Sequence, residues 1–453
     1  MSIVKEISTD KSSVKTTQIV AFATIFLFLI ARSPIWEMKW DASGYINSSL
    51  FWVNGSSLDP EQLYIRGFLT SIVYWLPALV GMKFLEPSVF GTYIFVLVLI
   101  QNSVLISWMS AYLLPRIVKL FTPISKVTVW ATAVPSAYVM YGFAPYSLMD
   151  VWAVAAMAFG LVLILRERTF ALVFAGVAFG IAFNLRPSNL VTILLIIVGF
   201  TLFKKQKSAF VIGGFLTAQL PQIVYNQVNF GSWSIIPNGL TKIGGLNQVL
   251  DGASIRYDTI GYSQFTVGGI SFCDVNMYKL VKNYDPQSKI DLLEMFLRNP
   301  ISSTVFQIKK LAGAFWWPVD VPYYDHNPVV NTVFGSVILL LTTMGTGALI
   351  YLISKSATLN ALSKAIVYAI FLGFGINLVL YHSETRYSLL VVLLAVCGIA
   401  ALITLVSNGI ESLNKLCFER TFVVSLVIYG ALAAIAIFTF SGSFGLSHLK
   451  QCS

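Results

Sequence analysis

The sequence predicts an all-α, polytopic membrane protein with about eleven transmembrane helices. Of the 453 residues, 57% are apolar and only 11% are charged, and the mean hydropathy is +0.77. Soluble domains carry roughly 25% charged residues, so a soluble class is excluded. The apolar stretches are continuous rather than alternating, which also excludes a transmembrane β-barrel.

Eleven apolar segments are predicted to span the membrane: 17–35, 89–114, 127–143, 150–165, 169–184, 187–203, 208–226, 329–354, 365–381, 386–407 and 421–441. A twelfth, 67–81, contains Pro77 and is short for a span. If it does not cross, the short loops on the side of the N-terminus hold about twice as many Lys and Arg as the opposite loops, as the positive-inside rule requires. We therefore predict a cytoplasmic N-terminus, a C-terminus outside, and a re-entrant or juxtamembrane helix at 67–81 in the first outer loop.

The topology divides the chain into three parts. Residues 1–226 form an N-terminal transmembrane module, 227–328 an outer loop region with an amphipathic helix, and 329–453 a C-terminal transmembrane module. The formal charge of +10 falls in the short cytoplasmic loops, where it is a topology signal. The lipid bilayer is therefore an expected partner, and nucleic acid is not.

Two aspartates are predicted to lie at the outer membrane surface. Asp41 follows the first span, and Asp150 opens the fourth. Asp41 is either a solvated loop acid or a carboxylate at the mouth of a cavity, placed as a general base. Asp150 either complements the dipole of its own helix or joins Asp41 on one face of a shared site.

Two short outer turns carry arginines. Arg186 lies between two spans, and Arg386 opens the tenth span, close to His382 and Glu384. An arginine at the start of a helix opposes the helix dipole, so it requires an anion nearby. That anion is either a structural partner such as Glu384 or a phosphate.

The segment 300–317 has apolar residues at helical spacing, with Lys309 and Lys310 on one side. It is predicted to be an interfacial amphipathic helix. It serves either as a membrane anchor or as a guide for an anionic lipid headgroup.

Cysteines and histidines show no metal-ligand spacing, so no resident metal or cofactor is expected, and an optional divalent cation stays open. Cys273 and Cys452 both fall on the predicted outer side, where disulfides persist. The sequence leaves open whether they are bridged.

The order of these features resembles the GT-C superfamily of membrane glycosyltransferases, which use polyprenyl-phosphate-linked sugars. In that family an Asp-containing motif follows the first span, as Trp40–Tyr45 (WDASGY) does here, and a semi-buried helix comes next, as at Tyr64–Val73. A basic cytoplasmic loop (Pro115–Lys126), a second outer acid (Asp150) and a late His-x-Glu-x-Arg-Tyr motif (His382–Tyr387) also match.

The resemblance implies an inverting transferase on the periplasmic face of a bacterial inner membrane. A hexose, with glucose expected, would move from polyprenyl phosphate to an acceptor glycan such as O-antigen of lipopolysaccharide, or to a lipid-linked oligosaccharide. Asp41 would be the general base, and Asp150 would orient Asp41, the acceptor or a divalent ion. Aromatic residues of 227–328 would stack on sugar rings. The substrate-binding residues would be Arg386, Glu384, His382, Arg186, Arg66, Tyr45, Lys309 and Lys310.

One departure qualifies the resemblance, and two other classes of protein are alternatives to it. Ala42 follows Asp41 where the family often has Glu, which argues against metal binding. A flippase for lipid-linked oligosaccharides and an O-antigen polymerase are alternatives in the same compartment. The chain lacks the internal repeat that many transporters show, and the outer loop is charge-balanced rather than rich in arginine, so the transferase is favoured.

Overall fold

The computed structural model describes residues 11–33, 40–54, 66–84, 90–238, 255–257, 270–272, 275–317, 328–355, 360–380, 385–409 and 420–440.

The N-terminal part of the chain is helical. Its helices are α1 (Lys11–Arg32), α2 (Trp40–Asn54), α3 (Thr70–Val73), α4 (Trp75–Phe84), α5 (Phe90–Trp108), α6 (Leu114–Val118), α7 (Lys126–Met140), α8 (Asp150–Ile164), α9 (Thr169–Leu185), α10 (Leu190–Phe203) and α11 (Lys205–Phe230). A π-helical turn, Met109–Leu113, joins α5 to α6. Ser125 and Thr128 form a reciprocal capping box that starts α7, which satisfies two of the amide groups that a helix N-terminus leaves unpaired.

The second part begins with one short antiparallel pair, in which β1 (Ile255–Tyr257) lies beside β2 (Ile270–Phe272) with Arg256 opposite Ser271. The helices that follow are α12 (Val275–Tyr284), α13 (Lys289–Arg298), α14 (Pro300–Phe315), α15 (Pro328–Lys355), α16 (Ala361–Leu380), α17 (Leu389–Ser407) and α18 (Arg420–Phe440). A 3-10 turn, Thr385–Ser388, leads into α17.

Seven helices in the described part of the chain are long and apolar enough to cross a membrane: Ser12–Arg32, Tyr93–Val118, Lys205–Phe230, Thr332–Ser354, Ala361–Val379, Arg386–Ser407 and Arg420–Ile437. Three shorter apolar helices cover Asp150–Ile164, Thr169–Leu185 and Pro187–Phe203. A helical, multi-pass membrane protein is thus what the sequence encodes, while the number of eleven crossings stays a prediction.

Small residues bring the helices of the bundle into close contact. Helix α9 packs between α8 and α11, α10 packs on α16, and α15 packs between α17 and α18. A Cβ on Gly176 would lie 2.0 Å from the Val211 carbonyl oxygen, and a Cβ on Gly214 would lie 2.1 Å from that of Val173. Because both glycines lack side chains, α9 and α11 approach at backbone distance.

The segment 67–81 is helical but interrupted. It comprises α3 and most of α4, which are separated at Tyr74. Both helices pack against α2, and α4 also packs against α5. Each piece is too short for the bilayer, which agrees with a re-entrant or juxtamembrane segment.

The outer segment 227–328 was expected to offer aromatic side chains to sugar rings, and Trp316 and Trp317 do not fit that expectation. Both are buried, and the Trp317 indole N–H donates to the hydroxyl of Ser388 at 3.1 Å. They pack in the core next to the 3-10 turn, Thr385–Ser388, that leads into α17. Trp233 is exposed and is the tryptophan in the described part of this segment that could contact a glycan.

Cysteines placed at the two ends of α11 are expected to label from opposite sides of the membrane. Lys205 and Trp233 are both exposed and are separated by the 26-residue helix. A membrane-impermeant maleimide added to intact cells should label Trp233→Cys and spare Lys205→Cys and Lys119→Cys. A permeant maleimide should label all three. Labelling of Lys205→Cys from outside would reverse the predicted orientation.

Candidate functional site

Asp41 lies between two arginines that are distant in sequence. Its Oδ1 accepts a hydrogen bond from Arg66 Nη2 at 3.4 Å, and its Oδ2 accepts one from Arg386 Nη2 at 3.1 Å. The Asp41 side chain remains 34% exposed while that of Arg386 is 4% exposed. Asp41 is therefore fixed from the protein side and still open to a molecule arriving from outside.

Asp150 forms the second half of the cluster and is buried. Its Oδ2 accepts a hydrogen bond from Arg186 Nη2 at 2.5 Å and lies 3.9 Å from Arg386 Nη1. Arg386 thus bridges the two aspartates that the sequence placed at the same surface. The three guanidinium groups and two carboxylates of this charged cluster (Asp41, Arg66, Asp150, Arg186 and Arg386) have a formal charge of +1.

Two tyrosines cover the guanidinium groups. Arg66 lies over the ring of Tyr45 at 5.1 Å, while Arg186 and Arg386 lie 5.7 Å and 5.9 Å from the ring centre of Tyr387. Burial raises the pKa of the Tyr45 hydroxyl above its usual value, which keeps the hydroxyl neutral at pH 7. These rings supply cation–π contacts without adding charge. Tyr387 was not among the predicted binding residues.

A buried asparagine positions Asp150. The Asn102 amide donates to the carbonyl oxygens of Ala144 and Tyr146 at 3.1 and 2.8 Å, and its Oδ1 accepts from Tyr74 and Trp152. Helix α7 ends at Met140, and a 3-10 turn, Tyr141–Phe143, continues to the end of the predicted span 127–143. Asn102 satisfies carbonyls of the non-helical residues that follow this turn. Asp150 begins α8 directly after this segment.

Two further amides position Arg66 and Arg186. The backbone N–H of Phe68 donates to Gln222 Oε1 at 2.6 Å, and that of Leu69 donates to Asn184 Oδ1 at 2.8 Å. Asn184 lies in the last turn of α9, two residues before Arg186. Gln222 belongs to α11. The segment that carries Arg66 is thereby docked onto the same helix end that carries Arg186.

Gly67 is required for this docking. A Cβ at Gly67 would lie 1.8 Å from the Asn184 carbonyl oxygen, whereas a Cβ at Gly213 would meet nothing within 4 Å. Gly67→Ala is therefore expected to lower the thermal unfolding temperature, since the segment that carries Arg66 must shift. Gly213→Ala, in exposed helix, should be neutral or slightly stabilising. Equal unfolding temperatures for the two variants would show that the segment around Gly67 shifts to accommodate the added methyl group without loss of stability.

A cavity opens beside the buried half of the charged cluster. The cavity itself has a volume of about 50 Å³. Its lining combines charged, polar and apolar side chains: Asp150, Arg186 and Arg386; Ser188, Asn189, Thr192 and Asn377; and Ile370, Phe374, Leu378, Leu390 and Val391. Asp41 contacts Arg386 from outside this lining. Basic, hydrogen-bonding and apolar groups therefore meet in one small cavity, whose apolar part comes mainly from α16 and α17.

The two predicted lysines lie on α14 rather than on the elements that carry the cluster. Lys309 is half-buried and Lys310 is fully buried on α14, so the two lysines do not form one exposed basic face, contrary to expectation. His382 and Glu384 lie outside the described residues, as do Cys273 and Cys452. Among the described residues, no three or more His, Cys, Asp or Glu side chains lie together as a metal site would require.

Lys310 is expected to make the stability of the protein depend on pH. Burial lowers the pKa of its ammonium group to about 7, whereas the unfolded chain keeps the ordinary value near 10.5. The unfolded state therefore binds the extra proton between these values, and stability rises with pH across that window. Lys310→Met should raise the unfolding temperature in detergent more at pH 6 than at pH 9. Lys309→Met should give no such difference, and a pH-independent effect of Lys310→Met would contradict the assignment.

No protein-family model, no curated protein and no solved structure matches this chain. The charged cluster and the cavity beside it are therefore the features of the chain from which a function is inferred.

Proposed function

We propose that the protein is an inverting membrane glycosyltransferase that moves a hexose, with glucose the first candidate, from polyprenyl phosphate to a cell-surface glycan such as O-antigen. The observation that carries the proposal is the position of Asp41. It is a partly exposed carboxylate held by two guanidinium groups, in a cluster of net positive charge next to a cavity with a partly apolar lining.

The lining of the cavity suits the phosphate end of a lipid-linked sugar. Arginines recognise phosphate through paired N–H donors, and Arg186 and Arg386 belong to the lining. The aliphatic and aromatic side chains that α16 and α17 contribute suit the start of a prenyl chain. Ser188, Asn189, Thr192 and Asn377 also line the cavity and offer hydrogen bonds to the sugar that the phosphate carries.

Asp41 acts as the general base in this proposal. Its carboxylate accepts the proton of an acceptor hydroxyl as the hydroxyl oxygen forms a bond to the anomeric carbon. The bond from that carbon to the phosphate oxygen breaks with its electron pair, and polyprenyl phosphate leaves. Attack from the face opposite the leaving group inverts the anomeric configuration. Arg386 and Arg186 stabilise the charge that develops on the phosphate.

Asp150 has a positioning role. It is buried and contacts both Arg186 and Arg386, so it does not face an acceptor. It holds the guanidinium of Arg386 between Asp41 and the cavity in which the lipid phosphate would bind. A phosphate on Arg386 would share the donors that hold Asp41, which leaves the carboxylate freer to accept a proton when the donor is bound.

The proposal places the charged cluster on the periplasmic face of a bacterial inner membrane. Support comes from the charge asymmetry of the short loops and from the multi-pass helical fold. Polyprenyl-phosphate donors and surface glycans meet at that face.

The experiment compares the mass of the surface polysaccharide from cells with and without this chain. The expected result is the loss of one hexose per repeating unit, restored by the wild-type gene but not by Asp41→Asn. An unchanged repeat mass with a changed number of repeats would indicate a polymerase. Loss of the whole glycan from the surface would indicate a flippase. Either of these outcomes, or an unchanged glycan, would overturn the transferase.

A further inference from the structure

Two consecutive helices of the outer segment, α13 and α14, each have an apolar face that no described residue covers. On α13 this face contains Ile290, Leu293 and Leu297; on α14 it contains Ile301, Val305 and Ile308. All six side chains are between 40% and 80% exposed. At 100° per residue, each set of three falls within an arc of about 60°.

The opposite faces of both helices already form core. Leu292 and Met295 of α13 and Phe306 of α14 are buried in the main hydrophobic cluster. Each helix therefore already packs against the core through its opposite face. The six exposed side chains are apolar surface in addition to that contact. Contiguous exposed apolar surface of this kind usually marks contact with a partner or a membrane.

The corner between the helices fixes both exposed faces on the side away from the core. Asn299 ends α13, and its amide side chain donates to the Met295 carbonyl oxygen at 3.0 Å. Ser303 donates across the corner to the Phe296 carbonyl oxygen at 3.1 Å. The two faces adjoin at this corner, where Leu297 and Ile301 are four residues apart, and we call the six side chains the apolar ridge (Ile290, Leu293, Leu297, Ile301, Val305 and Ile308).

The neighbours of α14 indicate what lies against the ridge. α14 packs on α16 and α18, which are both long and apolar enough to cross a membrane. Its C-terminal turn is bonded to the start of another such helix, because Ser388 donates to the Ala314 carbonyl oxygen at 2.7 Å. The ridge therefore continues the lipid-facing surface of the bundle.

The polar residues along the edge of the ridge fit the same location. Glu294 and Arg298 form an exposed ion pair on α13, and Lys309 is half-buried on α14. Long basic side chains at such an edge extend to the headgroups while their methylene groups stay in the apolar layer.

We propose that the apolar ridge inserts into the hydrocarbon edge of the leaflet next to the charged cluster, so that α13 and α14 lie as an interfacial pair. This insertion does not depend on sugar transfer. Through the Ser388–Ala314 hydrogen bond, it also anchors the turn that carries Arg386 at the membrane.

Lipid quenching of single labelled cysteines tests the proposal. The background keeps buried Cys397 and replaces the other three cysteines with serine. Leu297→Cys and Ile301→Cys carry a bimane label in liposomes with or without brominated phosphatidylcholine. Leu426→Cys on the exposed face of α18 is the lipid-facing control. Gln287→Cys, exposed just before α13, is the control in water.

Brominated lipid should quench the labels at 297 and 301 about as strongly as at 426, and should leave 287 unchanged. Aqueous iodide should quench 287 alone. Leu293→Cys and Val305→Cys repeat the test if either first variant fails to fold. Quenching by iodide, by neither reagent, or by lipid on only one of the two helices would overturn the shared interfacial ridge.

Discussion

Replacing Asp41 with Asn is expected to reduce sugar transfer by about 10² to 10⁴-fold, the usual effect of removing a general base. Asparagine has nearly the same size and keeps one of the two oxygens that accept from Arg66 and Arg386 at 3.4 and 3.1 Å. It cannot take up a proton from the acceptor at neutral pH. The protein should therefore fold and insert normally while turnover collapses.

Donor binding should respond in the opposite direction. Removing one carboxylate raises the formal charge of the cluster from +1 to +2, which favours an anion at Arg386. Asp41→Asn should therefore bind polyprenyl phosphate at least as tightly as the wild type. The measurement is in-vitro transfer with purified protein, accompanied by titration of the lipid phosphate.

A matched acid elsewhere provides the control for Asp41. Glu167 pairs with Lys204 at 2.7 Å in a turn outside the charged cluster. Glu167→Gln makes the same carboxylate-to-amide change and should transfer sugar at the wild-type rate. If Asp41→Asn does so as well, Asp41 serves only to pair with Arg66 and Arg386, and the catalytic assignment is wrong.

Hydrophobic patterning predicted most of the helices, because apolar runs of bilayer length have few alternatives. Its segment 127–143 ends where the 3-10 turn after α7 ends, at Phe143. It could not predict what holds the residues beyond, because Asn102, which binds the Ala144 carbonyl oxygen, is 42 residues away in sequence. Local pattern carries no information about such a partner.

The charged cluster was predicted residue by residue and not as a network. Four of its five members were identified from their places near predicted spans and Arg66 from the resemblance alone, but the bridging position of Arg386 depends on contacts across 345 residues of sequence. Three buried amides of α11 were missed: Gln222 accepts from the Phe68 N–H, Gln219 accepts from Asn184, and Asn226 accepts from Gln222. Their spacing places buried polar groups on one helix face, which is a signal of structural or functional contact in an apolar helix.

Replacing Arg386 with Ala should impair both donor binding and turnover. Arg386 is buried and is the residue that contacts Asp41 and Asp150 together. A charged hydrogen bond contributes about 1.5–3 kcal/mol, so loss of the guanidinium should weaken binding of polyprenyl phosphate by about 10- to 100-fold. The phosphate is present in the ground state and the transition state alike, which is why affinity falls along with rate.

The lysine variant separates a binding role from a folding role. Breaking a buried ion pair destabilises a protein by about 3–5 kcal/mol, so Arg386→Ala requires a check of its unfolding temperature. Arg386→Lys keeps the charge but lacks the paired donors that reach both aspartates. It should fold, bind the lipid phosphate with intermediate affinity and recover only part of the transfer rate.

Arg166→Ala serves as the matched arginine control, because Arg166 is exposed in the turn after α8 and outside the charged cluster. It should match the wild type in lipid-phosphate titration, in unfolding temperature and in transfer. If folded Arg386→Ala also binds polyprenyl phosphate like the wild type, the guanidinium serves only to pair Asp41 with Asp150. The phosphate would then have to bind elsewhere, and the cavity beside Arg386 would lose its role in donor recognition.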